Sequence, residues 1–242
     1  MQDTKTVRDF VIEDYRTADV FRKWGINYCC GGNLPLAEAC ATRQIEMRAV
    51  EQDLERATLN ITLPNALSFK EWPLPFLTDF ILYVHHSYLH TALPALRQQM
   101  ASFVPGHLKK YPHLADIQET FNNLADELEE HLAEEEQSIF PYVKQINNTY
   151  HQKEKYGGLF VRTMRKPLDL TIEKEHGRII SLLQQLRRQT GEYTFSADAC
   201  PTYRVIYNKL KEFDADLVQH MHLENNILFP KALEMEKSLL QL

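Results

Sequence analysis

The sequence predicts an all-α chain, with a C-terminal antiparallel four-helix bundle preceded by a small helical N-terminal domain. Three observations predict it. Glycine is scarce, at 8 residues in 242. Alternating runs rich in β-branched residues, which would mark strands, are few. From about Leu77 onward four long stretches carry apolar residues at helical spacing, roughly 76–103, 113–147, 164–191 and 201–238. Four such helices joined by short to moderate connections pack as an antiparallel bundle.

In chain order, Val7, Phe10, Val11 and Tyr15 fall on one helical face. A second apolar cluster at Val20, Phe21 and Trp24 ends at Gly25, a residue suited to a helix C-terminus. The segment from Ile26 to Pro35 contains Cys29-Cys30-Gly31-Gly32 and reads as a turn, with Pro35 placed to open the next helix. Helical spacing then resumes from Leu36 to about Thr58. Between Thr58 and Pro75 the periodicity fails and Pro64, Pro73 and Pro75 interrupt the chain. The expected division is therefore an N-terminal domain over 1–60, a linker over 61–75 and the bundle over 76–242. Gly106, Gly157-Gly158 and Gly191 are expected in the loops of that bundle.

Composition narrows the function. A net charge of -6 argues against nucleic acid, because phosphate binding needs concentrated Lys and Arg. No apolar run reaches the roughly 18 residues of a membrane span, and no charged start precedes an apolar core with a cleavage site. A cytoplasmic location is expected. In that reducing compartment the four cysteines are expected as thiols.

The chemistry lies in a repeat. His131-Leu132-Ala133-Glu134-Glu135 continues to Phe140-Pro141, and His220-Met221-His222-Leu223-Glu224 continues to Phe229-Pro230. Histidine, glutamate, phenylalanine and proline recur at identical offsets. The His-x-x-x-Glu spacing puts an imidazole and a carboxylate on one helical face, one turn apart. His86 precedes His131 by nearly the interval that separates His176 from His220. Four helices would thus aim four imidazoles and two carboxylates at one point, a donor set suited to iron, manganese or zinc, with carboxylates able to bridge two ions. Buried His and Glu are costly unless paired or metal-bound. The candidate ligands are His86, His131, Glu135, His176, His220 and Glu224. His85 and His90 compete with His86 for the first position. Glu127, one turn before His131, and Glu175, beside His176, are candidates for orienting a ligand imidazole; plain surface charge is the alternative.

These segments resemble the di-iron proteins of iron-sulfur cluster repair (the RIC, or YtfE/ScdA, family). HHSYLHTALPAL, HLAEEEQSIFP, EKEHGRI and HMHLENNILFP resemble the family's hemerythrin-like domain, and VFRKWGINYCCGGNLPLAEAC its ScdA-type N-terminal domain. The resemblance implies that those six residues hold two non-haem iron ions per chain, oxo- and carboxylate-bridged. It implies a stress-response role: restoring iron-sulfur clusters damaged by nitric oxide or oxidants, by donating iron to iron-sulfur proteins or an assembly scaffold. That task is iron delivery rather than turnover, so no catalytic residue is assigned. An enzyme or sensor that binds or reduces nitric oxide or oxygen is the alternative, and a homodimer is open. Cys29 and Cys30, before a helix start that favours thiolate, are candidates for redox chemistry or partner binding. Cys40 is read as a small core residue on a helix, and Cys200, next to Pro201, as structural or incidental.

Overall fold

A computed structural model describes residues 5–29, 32–59, 67–153, 156–164 and 168–241, the side chains of 164–174 apart. Among these residues regular structure is helical, with one isolated bridge between Thr6 and Pro35. The chain divides into two compact units. One comprises Met1–Asn65 with Glu192–Lys211, the other Ala66–Gly191 with Glu212–Leu242.

The first unit contains α1 (Val7–Glu13), α2 (Thr17–Lys23), α3 (Leu36–Thr42) and α4 (Met47–Thr58). A capping box opens α1: Asp9 N–H donates to the Thr6 hydroxyl and Thr6 N–H donates to the Asp9 carboxylate. Gly25, at φ +65°, ends α2 in the left-handed region. The helical spacing from Leu36 to Thr58 is broken into α3 and α4 around Gln44, which takes φ 57°. Val7, Val11, Phe21, Ile26, Cys40, Val50 and Leu54 form the unit's core together with Val205.

The second unit holds four helical runs. The first joins α5 (Leu74–Phe80) to α6 (Ser87–His107) through a π-helical segment, Ile81–His86. The second joins α7 (Leu114–Glu134) to α8 (Phe140–Gln152) through the π segment Glu135–Ile139. After α9 (Gly157–Met164), α10 (Leu168–Thr190) forms the third. The fourth joins α11 (Pro201–Leu223), whose first residues belong to the first unit, to α12 (Phe229–Leu240) through the π segment Glu224–Leu228. Gly106 lies in the last turn of α6 and Gly157-Gly158 open α9, where loops were expected. At Gly157 a Cβ would meet the Leu239 side chain at 2.8 Å, so a bare backbone lets α9 approach α12. Part of the expected linker, 61–66, lies outside the described residues, as does residue 60.

Packing follows the apolar stripes. In α7 the buried residues Ile117, Phe121, Leu124 and Leu128 recur every three or four positions. This stripe faces α6 and α10. Phe121 meets Phe213 of α11 edge-on, with ring centroids 5.7 Å apart. At the other end Leu77, Ile81, Phe140, Val143, Ile146, Leu228, Phe229 and Leu239 form one cluster.

Candidate metal centre

The stripes that build the bundle also deliver the site. Extending Leu124 and Leu128 by the same spacing reaches His131 and Glu135, both buried. Phe213 and Leu217 lead to His220 and Glu224 in the same way. Leu93 and Leu89 lead back to His86, and Leu183 and Ile179 to His176. Six polar side chains thus sit at positions whose register would otherwise require apolar ones. Each is at most 3 % exposed.

Their donor atoms converge. Glu224 Oε1 lies 2.6 Å from His220 Nε2, and His86 Nε2 lies 3.1 Å from His220 Nε2. Glu135 Oε2 is 3.4 Å from His86 Nε2 and 3.3 Å from His131 Nε2. His176 Nε2 is 3.8 Å from Glu224 Oε2 and 4.0 Å from Glu135 Oε1. Two groups result, His86–Glu135–His220–Glu224 and His131–Glu135–His176–Glu224, each with its donor atoms within 4.8 Å of one another. Both glutamates belong to both groups. Each group could hold one cation by two imidazole nitrogens and two carboxylate oxygens, with the carboxylates bridging.

The donor set fits a metal on two further counts. His131 Nε2, His176 Nε2, both oxygens of Glu135 and Glu224 Oε2 are buried without a hydrogen-bond partner. Such groups are expensive inside a protein unless something satisfies them. The charge balance points the same way. Burial alone would lower the His86 imidazole, but the Glu135 and Glu224 carboxylates reverse this and push it up to about 10. His131, likewise opposed by burial and favoured first by Glu135, is raised to about 9. Burial opposes ionisation of Glu224, yet the adjacent His220 holds it well below the usual carboxylate range. His176 is lowered, chiefly by burial. Two buried carboxylates hold protons on neighbouring imidazoles where a cation would do the same work.

The opposite ring nitrogens of His86, His131 and His176 are anchored, while His220 Nδ1 is buried without a hydrogen-bond partner. His86 Nδ1 donates to Glu136 Oε1 at 3.0 Å, and that oxygen also accepts from His90 Nε2 at 2.8 Å. His176 Nδ1 pairs with Asn225 Oδ1 at 2.7 Å. His131 Nδ1 faces Glu175 Oε2 at 3.4 Å, and this bond lowers the Glu175 carboxyl. Bonds at Nδ1 fix the tautomer that leaves the Nε2 lone pair pointing inward. Glu127 pairs with Arg178 instead. Of the competitors for the first position, His85 turns its Nδ1 to Asp216 at 2.9 Å and stacks on His220, while His90 is half exposed. Glu136 and Asn225 are absent from the candidates read in the sequence. Each directly follows the motif glutamate and bonds the histidine of the preceding helical run, so the repeat extends one residue further than its identities indicate.

At both motifs the helix loosens where the glutamate stands. Phe140 N–H donates to the Glu135 carbonyl and Phe229 N–H to the Glu224 carbonyl, five residues back in each case. Pro141 and Pro230 follow immediately. A proline ring in a helix clashes with the carbonyl four residues earlier and offers no N–H, and a π turn accommodates both defects. The π segment at Ile81–His86 has no such proline. Cys29 is half-buried in the first unit, and Cys30 lies outside the described residues.

Comparison with known proteins agrees with this geometry. Residues 78–232 match the hemerythrin HHE cation binding domain, and residues 3–58 match ScdA_N, a domain of unknown function. The chain is 30% identical over 221 residues to the iron-sulfur cluster repair protein YtfE of Escherichia coli O157:H7, an alignment covering 91% of this chain and 93% of the relative. The protein of that name from Escherichia coli O81 (strain ED1a) is 31% identical, and that from Shigella boydii serotype 4 (strain Sb227) 30%, with the same coverage. Among the described residues no helix is long and apolar enough to cross a membrane. The chain is an all-α, cation-binding member of the iron-sulfur cluster repair protein family, pairing an ScdA_N domain with a hemerythrin HHE domain.

Proposed function

We propose that this protein repairs iron-sulfur clusters damaged by nitric oxide or oxidants, giving up iron held as a pair of ions by His86, His131, Glu135, His176, His220 and Glu224. The observation that carries the reading is the pair of four-residue groups sharing both glutamates. Bound iron supplies a redox-active Lewis acid that can be surrendered to an acceptor or take a small gaseous ligand. Glu224 presents Oε1 to His220 and Oε2 to His176, and Glu135 Oε2 lies between His86 and His131, so both carboxylates tie the two positions together. Glu136 and Asn225 hold His86 and His176 in the tautomer that donates inward.

Delivery also needs a site that survives emptying. His86 and His131 take up protons at their ring nitrogens when the cation leaves, because the two buried carboxylates favour that charge. Protons thus replace part of the departing charge. The acceptors in this reading are iron-sulfur proteins or an assembly scaffold in the cytoplasm.

The test is to load the full chain with iron, mix it with an apo iron-sulfur scaffold, separate the two and measure iron in each. Donation predicts about one iron gained by the scaffold for each lost by the donor, and a donor left depleted. If the iron stays on the chain while nitric oxide or oxygen is consumed over many cycles, the enzyme reading replaces delivery. Unchanged iron content in both His131→Ala and Glu224→Ala would overturn the ligand set itself.

A further inference from the structure

The first unit brings together two cysteines that are far apart in sequence. Cys29 lies in the turn between α2 and α3, and Cys200 directly precedes Pro201, the first residue of α11. Their thiols are hydrogen-bonded to each other. Beside them the Tyr28 side chain is hydrogen-bonded to the Thr202 side chain, so two adjacent contacts hold the turn against the helix start. The turn itself is tightly set. Cys29 N–H donates to Asn27 Oδ1 at 2.9 Å, and a Cβ on Gly32 would lie 2.4 Å from the Tyr28 carbonyl oxygen. Both cysteines are half-buried, whereas Cys40 is buried in the core.

We propose that Cys29 and Cys200 form a redox-active dithiol that closes reversibly to an intramolecular disulfide, with hydroperoxides or small-molecule disulfides as the oxidant. The two thiols have different parts. Burial pushes the Cys200 thiol up, against the pull of the Tyr203 backbone N–H, and its contact with Cys29 pushes it further the same way. Cys200 therefore keeps its proton, and Cys29, the sulfur it contacts, is assigned as the one that meets the oxidant first.

With a hydroperoxide, the Cys29 thiolate attacks the terminal oxygen, the O–O bond breaks and an alcohol or water leaves after taking a proton. The Cys200 sulfur then attacks the resulting sulfenic acid. The S–O bond breaks, the S–S bond forms, and water departs carrying the Cys200 proton. The two thiols lose two electrons and the peroxide gains them. With a small-molecule disulfide, Cys29 first forms a mixed disulfide and releases one thiol; Cys200 displaces the second.

The test uses the reduced full chain exposed to oxidised glutathione, alkylation of the remaining thiols, and peptide mapping by mass spectrometry without reduction. The expected map shows Cys29 joined to Cys200, with Cys40 alkylated. Cys30→Ser should give the same link to the same extent. In Cys200→Ser the glutathione adduct on Cys29 should persist at least about 100-fold longer, because the intramolecular resolving thiol is gone. A map of the unmutated chain dominated by a Cys29–Cys30 link, by stable glutathione adducts or by unreacted thiols would overturn the proposal, whatever the variants do.

Discussion

Glu136 offers the sharpest test of how the metal centre is held, because one oxygen serves two histidines of very different exposure. Glu136 Oε1 accepts from the buried His86 Nδ1 at 3.0 Å and from the half-exposed His90 Nε2 at 2.8 Å. Replacing Glu136 with Ala leaves the His86 ring without its anchor inside the bundle. Loss of such a partner lowers metal affinity about 10–100-fold, equivalent to about 1.4–2.7 kcal/mol. His90→Ala removes only the outer contact and leaves the Glu136–His86 bond in place, so its effect should stay within about threefold, the range of a solvent-screened pair. Glu136→Gln keeps a neutral acceptor and should fall between them. The measurement is competition of Fe(II), and separately Zn(II), against a chelator of known affinity at one pH, with metal per chain read by elemental analysis. Glu127→Ala serves as a control, since that carboxylate pairs with Arg178. An unchanged affinity in Glu136→Ala, or a loss in His90→Ala as large as in Glu136→Ala, would refute the reasoning.

Three other outcomes follow from the same geometry. Glu224→Ala removes a donor from both groups and should reduce metal at both positions, whereas His176→Ala touches one group and should leave about one ion per chain; elemental analysis of the two variants distinguishes shared from separate sites. The metal-free protein should lose thermal stability as pH rises: His86 and His131 bind their protons more tightly folded, at about 10 and about 9, than at their ordinary 6.5, so the stabilisation is complete below 6.5 and is lost as pH passes 9 and then 10. Melting curves of the metal-free chain across that window would be flat if the site were not charged in this way. Phe121→Ala, at a ring 0 % exposed, should cost about 3–5 kcal/mol, a fall in melting temperature of roughly 6–20 °C for a chain of this size; Val218→Ala on the exposed side of α11 should leave the midpoint unchanged within error.

The bundle was legible in the sequence because its apolar stripes are long and regular, and the six convergent residues because they interrupt those stripes at duplicated positions. What stayed hidden depends on contacts between helices. Glu127 stands one turn from His131 and looks like its natural partner, yet the His131 ring turns to Glu175 of α10 while Arg178 of that helix takes Glu127. Glu136 and Asn225 reach the histidine of a different helical run, a relation that no local spacing encodes. Cys200 reads as an isolated residue next to a proline; its meeting with Cys29 exists only once residues 192–211 join the first unit. Short-range signals misled where a residue has two uses. Gly157-Gly158 suggest a loop by composition, but at Gly157 the missing side chain serves helix packing.

The π segments answer a constraint that the apolar pattern also carries. The buried positions His131, Glu135, Ile139 and Val143 are separated by steps of four, as are His220, Glu224, Leu228, Ala232 and Glu236. An α-helix alternates steps of three and four, and each step of four carries a side chain about 40° past the starting face. Several in succession would turn later residues away from the core that earlier ones face. One wider turn absorbs the excess. It begins at the motif glutamate in both repeats, so His131 and Glu135, or His220 and Glu224, keep ordinary helical spacing while the apolar cluster beyond them is brought back inward. The proline after each π segment sits in the first turn of the α-helix that resumes there, α8 or α12, where its missing N–H is tolerated. The same few residues therefore set the donor pair, the loosened turn and the core beneath it, which is why histidine, glutamate, phenylalanine and proline repeat together.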